Sequence, residues 1–138
     1  MPEFTLTARA AAPVEEVWKL LFDPSRFPEW WAGIETVQVE SPQAYTIWLD
    51  SDPHFPMPQQ LHTDTRAGRV TMSCQVSDID YSWQLAEAPG GTEITARATV
   101  PQHEDDRLAH VRETVSASLG ALTALVEADP DGAGRFRG

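Results

Sequence analysis

The side chains of this chain that could carry chemistry are few and scattered. The four histidines, His54, His62, His103 and His110, show no metal-ligand spacing. His62 and Asp64 alternate in an extended segment, so both project to one side of a strand. That pair is a candidate metal or acid/base site, set against the ordinary alternative of a solvated polar strand face. His103 and His110 stand seven residues apart in a helical segment and share a face. Tyr45 and Tyr81 place hydroxyls in otherwise apolar strand faces; with His62 or His110 they are the candidate proton donors or acceptors. Cys74 is the only cysteine, which excludes an intrachain disulfide and a cysteine-based zinc site. Ser73, Ser77, Ser82, Ser116 and Ser118 lack a nucleophile-elbow context. There is neither a dinucleotide-binding glycine fingerprint nor a phosphate-binding loop. Asp78 and Asp80 read as turn residues. No motif assigns a catalytic residue, and none asks for a cofactor or a metal.

The elements that must position these groups are legible from periodicity. From His103 to Ala128, Leu108, Val111, Val115, Leu119, Leu122 and Val126 recur at helical spacing and form one apolar stripe. Glu104, Asp105 and Asp106 supply an acidic first turn, and Asp129-Pro130 ends the helix. At about 1.5 Å per residue this predicts a rod of roughly 39 Å, which needs an equally long partner surface. Glu3–Ala10 alternates as a strand with Phe4, Leu6 and Ala8 on one face. Pro13 then opens a short helix carrying Val14, Val17, Trp18 and Leu21, ending near Phe22. Ser25 is positioned to cap a second brief helix reaching about Trp31. One of Trp30 and Trp31 is expected under the end of the sheet and the other at a cavity mouth, or both in plain packing.

After Gly33 come strands at Ile34–Glu40, Ala44–Asp50, Gln59–Arg66, Arg69–Ser77, Asp80–Glu87 and Thr92–Val100. The inward face of Gln59–Arg66 is not assigned by its pattern. The segment from Asp52 to Pro58, with Phe55, Met57 and three prolines, reads as a loop, either a lid or a rigid connection. Residues 129–138 read as a mobile tail. The order strand, two short helices, six antiparallel strands, long helix makes an α+β fold in a single domain, residues 1–128.

Composition excludes several functions. The chain has 138 residues and a formal net charge of −11, with its ten basic residues dispersed. This disfavours nucleic acid and anionic membrane surfaces. The N-terminus shows no secretory signal pattern and no apolar run reaches the length of a membrane span, so the expectation is a cytoplasmic protein without membrane insertion. Oligomeric state is not encoded legibly.

Three stretches carry a family resemblance: APVEEVWKLLFDPSRFPEWW, YSWQLAEAPGGTEITARATVP, and the long terminal helix. Over about residues 3–128 the chain resembles the START/Bet v1-like (SRPBCC) superfamily, the polyketide cyclase/dehydrase and lipid transport type. The resemblance implies a helix-grip fold: a seven-stranded curved antiparallel sheet around the C-terminal helix, with a hydrophobic cavity between them. Members bind lipids, sterols, polyketides or plant metabolites, and a few are cyclases.

By pattern alone the inward residues read first as a filled core, and the resemblance reverses this toward a cavity. Given the resemblance, Tyr45, Ile47, Met72, Tyr81, Trp83, Ile94, Leu108, Val111 and Val115 are the expected contacts of a small hydrophobic ligand. The alternatives are a polyketide cyclase/aromatase-type enzyme, which needs an acid or base deep in the cavity, and a protein-interaction module using the outer sheet face. Trp48, on the outward parity of its strand, is the residue that favours the last.

Overall fold

The computed structural model describes residues 2–75 and 78–128. Strand β1 (Glu3–Ala10) leads through Pro13 into helix α1 (Val14–Leu21) and a 3₁₀ segment (Pro24–Glu29). Six strands follow: β2 (Ile34–Ser41), β3 (Ala44–Leu49), β4 (Asp52–Asp64), β5 (Arg69–Cys74), β6 (Asp80–Ala88) and β7 (Gly91–Thr99). A second 3₁₀ segment (Gln102–Arg107) precedes helix α2 (Leu108–Ala128). The strands form one seven-stranded antiparallel sheet in the order β1-β7-β6-β5-β4-β3-β2. Sequential hairpins build it from β2 to β7, and β1 closes against β7 with Glu3 opposite Thr99 and Ala10 opposite Thr92.

Helix α2 lies along β1. At its start Arg112 sits over the Phe4 ring, 5.6 Å from the centroid. At its end the Glu127 carboxylate accepts from the Ala11 backbone N–H at 2.8 Å. Beside Ala11, β7 begins at Gly91, where a Cβ would collide with the Ala10 carbonyl; glycine is what allows these backbones to meet. The Thr92 hydroxyl donates to Ala12 O at 2.7 Å and seals the same corner.

Three local departures from the periodicity have physical causes. The helix is 21 residues, roughly 32 Å, because the chain from Gln102 to Arg107 winds as a 3₁₀ segment instead. No apolar residue occurs between Pro101 and Leu108 to pin an α-turn on the sheet, so α2 begins with no acidic first turn. The prolines of residues 52–58 do not make a loop: they lie within β4, which runs 13 residues. Residues 52–57 of β4 have no ladder partner on the β5 side among the described residues, Pro58 O accepts from Gln75 N–H at 2.9 Å, and the register breaks between Ile47 opposite Met57 and Leu49 opposite Asp52. Proline is tolerated where one side of the strand lacks a partner and the ladder bulges. Finally, Asp23 rather than Ser25 caps the first 3₁₀ segment, its carboxylate accepting from the Ser25 N–H at 3.1 Å and the Ser25 hydroxyl at 2.6 Å. Residues 129–138, read above as a tail, and Val76 and Ser77, read above as part of β5, lie outside the described residues. No described helix is long and apolar enough to cross a membrane.

Candidate functional site

The space between sheet and α2 is not uniform. Its middle is filled by aromatic rings brought from distant parts of the chain. Phe27 meets Tyr45 edge-on at 5.3 Å, Trp30 meets Trp83 at 5.2 Å, and Trp31 meets Trp83 at 5.6 Å. Such edge-to-face contacts add to the apolar area they bury. Trp30 is fixed further by donating its indole N–H to Leu20 O at 3.1 Å. Toward the C-terminal end of α2, Leu119, Leu122 and Val126 are buried in the same core.

Under the first turns of α2 the packing stops short and leaves a partly open cavity of about 220 Å³. Trp31 and Tyr81 form one corner, their rings perpendicular within 7° and 5.0 Å apart. Ile47, Leu49, Met57 and Ile79 add apolar wall from the sheet side, and Val111 and Thr114 from the helix. Gln59 and Cys74 also line it, while Asp50, Ser51, Arg107 and His110 complete the lining. The loop Trp31–Gly33 is held to the helix by Ser118. Its buried hydroxyl accepts from Ala32 N–H at 2.9 Å and donates to Thr114 O at 2.7 Å. Gly33, at φ +91°, turns the chain into β2 and accepts from Asp50 N–H at 2.9 Å.

The sheet side carries a polar row. In the strand register Gln59 is directly opposite Tyr45 on β3 and Cys74 on β5, so all three point to the same face as close cross-strand neighbours. Gln59 is 4% exposed, and its side-chain amide makes no hydrogen bond among the described residues. The Tyr45 and Tyr81 hydroxyls also have no hydrogen-bond partner there. Among described residues the fully enclosed polar side-chain atom lacking a partner is Trp83 Nε1; the amide and both hydroxyls therefore keep access to open space. Burial pushes both phenols well above the usual tyrosine value, and the nearby Cys74 thiol pushes the same way; Arg107 opposes this at Tyr81. Both phenols stay protonated at neutral pH. They can donate hydrogen bonds but cannot act as bases there.

Of the residues expected to contact ligand, Ile47, Tyr81 and Val111 line this cavity. Tyr45, Met72, Trp83, Ile94 and Val115 are buried in the core without forming its wall, and Leu108 is half-buried at the start of α2. Trp30 is a core residue and Trp31 a cavity wall. His62 and Asp64 are both exposed on β4, and no group of three or more His, Cys, Asp or Glu among the described residues is placed to hold a metal. His103 falls in the 3₁₀ segment and is exposed, so it does not share the α2 face on which His110 reaches the cavity. Trp48 is half-buried beside Thr36, Val37, Gln38 and Pro53, which removes the exposed indole that favoured an interaction module.

Sequence reasoning did not single out Gln59, because its strand is polar throughout. The available signal was Leu61, the one aliphatic residue of Gln59–Arg66, whose parity places Gln59 on the inward face.

The sequence profile of the polyketide cyclase/dehydrase and lipid transport family matches residues 1–127. No curated protein matches the chain significantly in sequence. Among solved structures it is similar to the protein XoxI from Bacillus cereus, with TM-score 0.76 and 16% identity over 91% of this chain and 95% of that one. It is also similar to a START superfamily protein from Mycobacterium smegmatis, with TM-score 0.73 and 15% identity over 91% and 97% of the two chains. The di-domain ARO/CYC BexL from the BE-7585A biosynthetic pathway matches with TM-score 0.75 and 19% identity. That match covers 95% of this chain but 48% of BexL. At these identities the likeness is one of fold.

Proposed function

Because this chain belongs to the polyketide cyclase/dehydrase and lipid transport family, we propose that it binds a small, largely apolar molecule in the cavity between the sheet and the start of α2. The observation that carries this reading is an apolar-walled space of about 220 Å³ lined by Gln59, whose side-chain amide has no hydrogen-bond partner among the described residues. The amide keeps access to that space, so a ligand that engages it gains a net hydrogen bond, about 1 kcal/mol.

Size narrows the ligand. An apolar cavity of about 150 Å³ holds one benzene, so about 220 Å³ holds roughly nine non-hydrogen atoms. A long acyl chain or a multi-ring polyketide exceeds this unless most of it stays outside.

The test is a space-filling substitution. Val111→Phe puts a ring into the cavity and is expected to leave the melting temperature unchanged or raised. It should also abolish the thermal stabilisation that isopropylbenzene gives the native protein. No stabilisation of the native protein by any apolar molecule of this size would refute the reading.

His110 favours a second reading, an enzyme of the aromatase/cyclase type. His110 lines the cavity at the start of α2 and is a side chain of the type that serves as acid or base. The ARO/CYC similarity points the same way. That reading predicts that His110→Ala removes turnover of a reactive poly-ketone while leaving binding intact.

A further inference from the structure

Resting on the binding reading above, we propose that Gln59 is the specificity anchor of the cavity. It selects a compact, uncharged carbonyl compound over a hydrocarbon of the same shape and over a carboxylate. Three observations converge on this. The first is placement: the strand register sets Gln59 between Tyr45 and Cys74 on the inward face, and Gln59 and Cys74 both line the cavity. The second is the hydrogen-bond inventory. The Gln59 amide and the Tyr45 and Tyr81 hydroxyls lack partners among the described residues. The two phenols stay protonated in this setting. Gln59 and Tyr81 line the cavity, so the sheet side presents an N–H and an O–H donor to it, and a carbonyl oxygen, with two lone pairs and no proton of its own, is complementary to such donors.

The third observation is charge. The chain carries a net −11, and Asp50 lines the cavity. A carboxylate must cross that field and lose its hydration against apolar walls, and Arg107, the guanidinium of the lining, already has an interaction of its own. A neutral carbonyl crosses at little cost. The flat corner made by Trp31 and Tyr81 receives a ring or a planar chain beside the polar row.

Acetophenone, α-methylstyrene and benzoate are matched in size and shape and differ in the polar group. Binding is read by calorimetry. It is read independently by protection from alkylation of Cys74, the chain's single cysteine, which lines the cavity. Acetophenone is expected to bind about fivefold to tenfold more tightly than α-methylstyrene, the equivalent of one net hydrogen bond. Benzoate should bind more weakly than either. Gln59→Met keeps the length of the side chain and removes the amide. It should fold with unchanged or raised melting temperature, lose the preference for acetophenone and keep α-methylstyrene affinity. Equal affinity for the ketone and the hydrocarbon, or a preference that survives Gln59→Met, overturns the anchor while leaving ligand binding in place. Tighter binding of benzoate overturns the selection against charge. Failure of all three to bind overturns both the anchor and the binding reading.

Discussion

The two halves of α2 meet the rest of the molecule differently, although the apolar stripe runs through both. Along the C-terminal half, Leu119, Leu122 and Val126 are buried, and Glu127 ties the helix end to Ala11. Along the N-terminal half, Val111 and Thr114 face a cavity, and the opposite wall holds Gln59, Cys74 and Tyr81. The difference lies in what the sheet offers. At the sealed end, Gly91 and Thr92 let β1, β7 and the chain before α1 close tightly. At the open end, the bulged, proline-bearing part of β4 and the Trp31–Gly33 loop stand around the space. One helix thus serves as core at one end and as a cavity wall at the other.

That contrast can be broken or sharpened experimentally. The largest effect is expected with alkaline pH and should begin at the open end. Tyr81 lines the cavity, Tyr45 is buried in the core opposite Gln59, and burial raises both above the ordinary tyrosine value of about 10. A raised folded-state value means that the stabilisation is complete below about pH 10 and is lost as pH rises toward the folded values. Each phenol then removes about 1.4 kcal/mol per pH unit. Absorbance at 295 nm should show no tyrosinate near pH 10 and should rise together with loss of near-ultraviolet circular dichroism. Tyrosinate appearing near pH 10 in a folded protein would show that the hydroxyls are wet.

Next in size, Leu122→Ala at the sealed end should cost about 2–5 kcal/mol in urea unfolding, since it opens a void in a filled core. Ser118→Ala should cost less, about 1–3 kcal/mol, by leaving the Ala32 N–H without its partner. It should also change Trp31 fluorescence, which Leu122→Ala should not. The smallest effect comes from one substitution made twice. Ile→Val spans about 0.5–1.5 kcal/mol in cores. Ile94→Val, at a fully buried position, should fall at the upper end, and Ile47→Val, bordering existing space, at the lower end. Equal costs would mean that the two regions are packed alike.

The fold was readable because its elements are written in period. The stripe from Leu108 to Val126 and the alternation of β1, β3, β6 and β7 each fix a buried face without help from the rest of the chain. The start of α2 and the extent of β4 were not readable in the same way. Residues 102–107 have no apolar residue, and proline reads as a breaker unless it is known that one side of the strand goes unpaired. The site was less legible than the fold. An inward Trp83 or Ile94 looks the same in sequence whether it fills space or borders it; that depends on how far the bulged strand stands from the helix. Gln59 was hidden for a different reason: a glutamine in a polar strand gives no sign of being buried until the register with Tyr45 and Cys74 is known.

The most direct test of the unequal seam is a two-dimensional NMR titration of the native protein with acetophenone. The account predicts saturable shift changes at Trp31, Ile47, Gln59, Cys74, Tyr81 and Val111, with Leu119, Leu122 and Val126 unmoved. Shifts centred on the C-terminal half of α2, or none at either end, would contradict it.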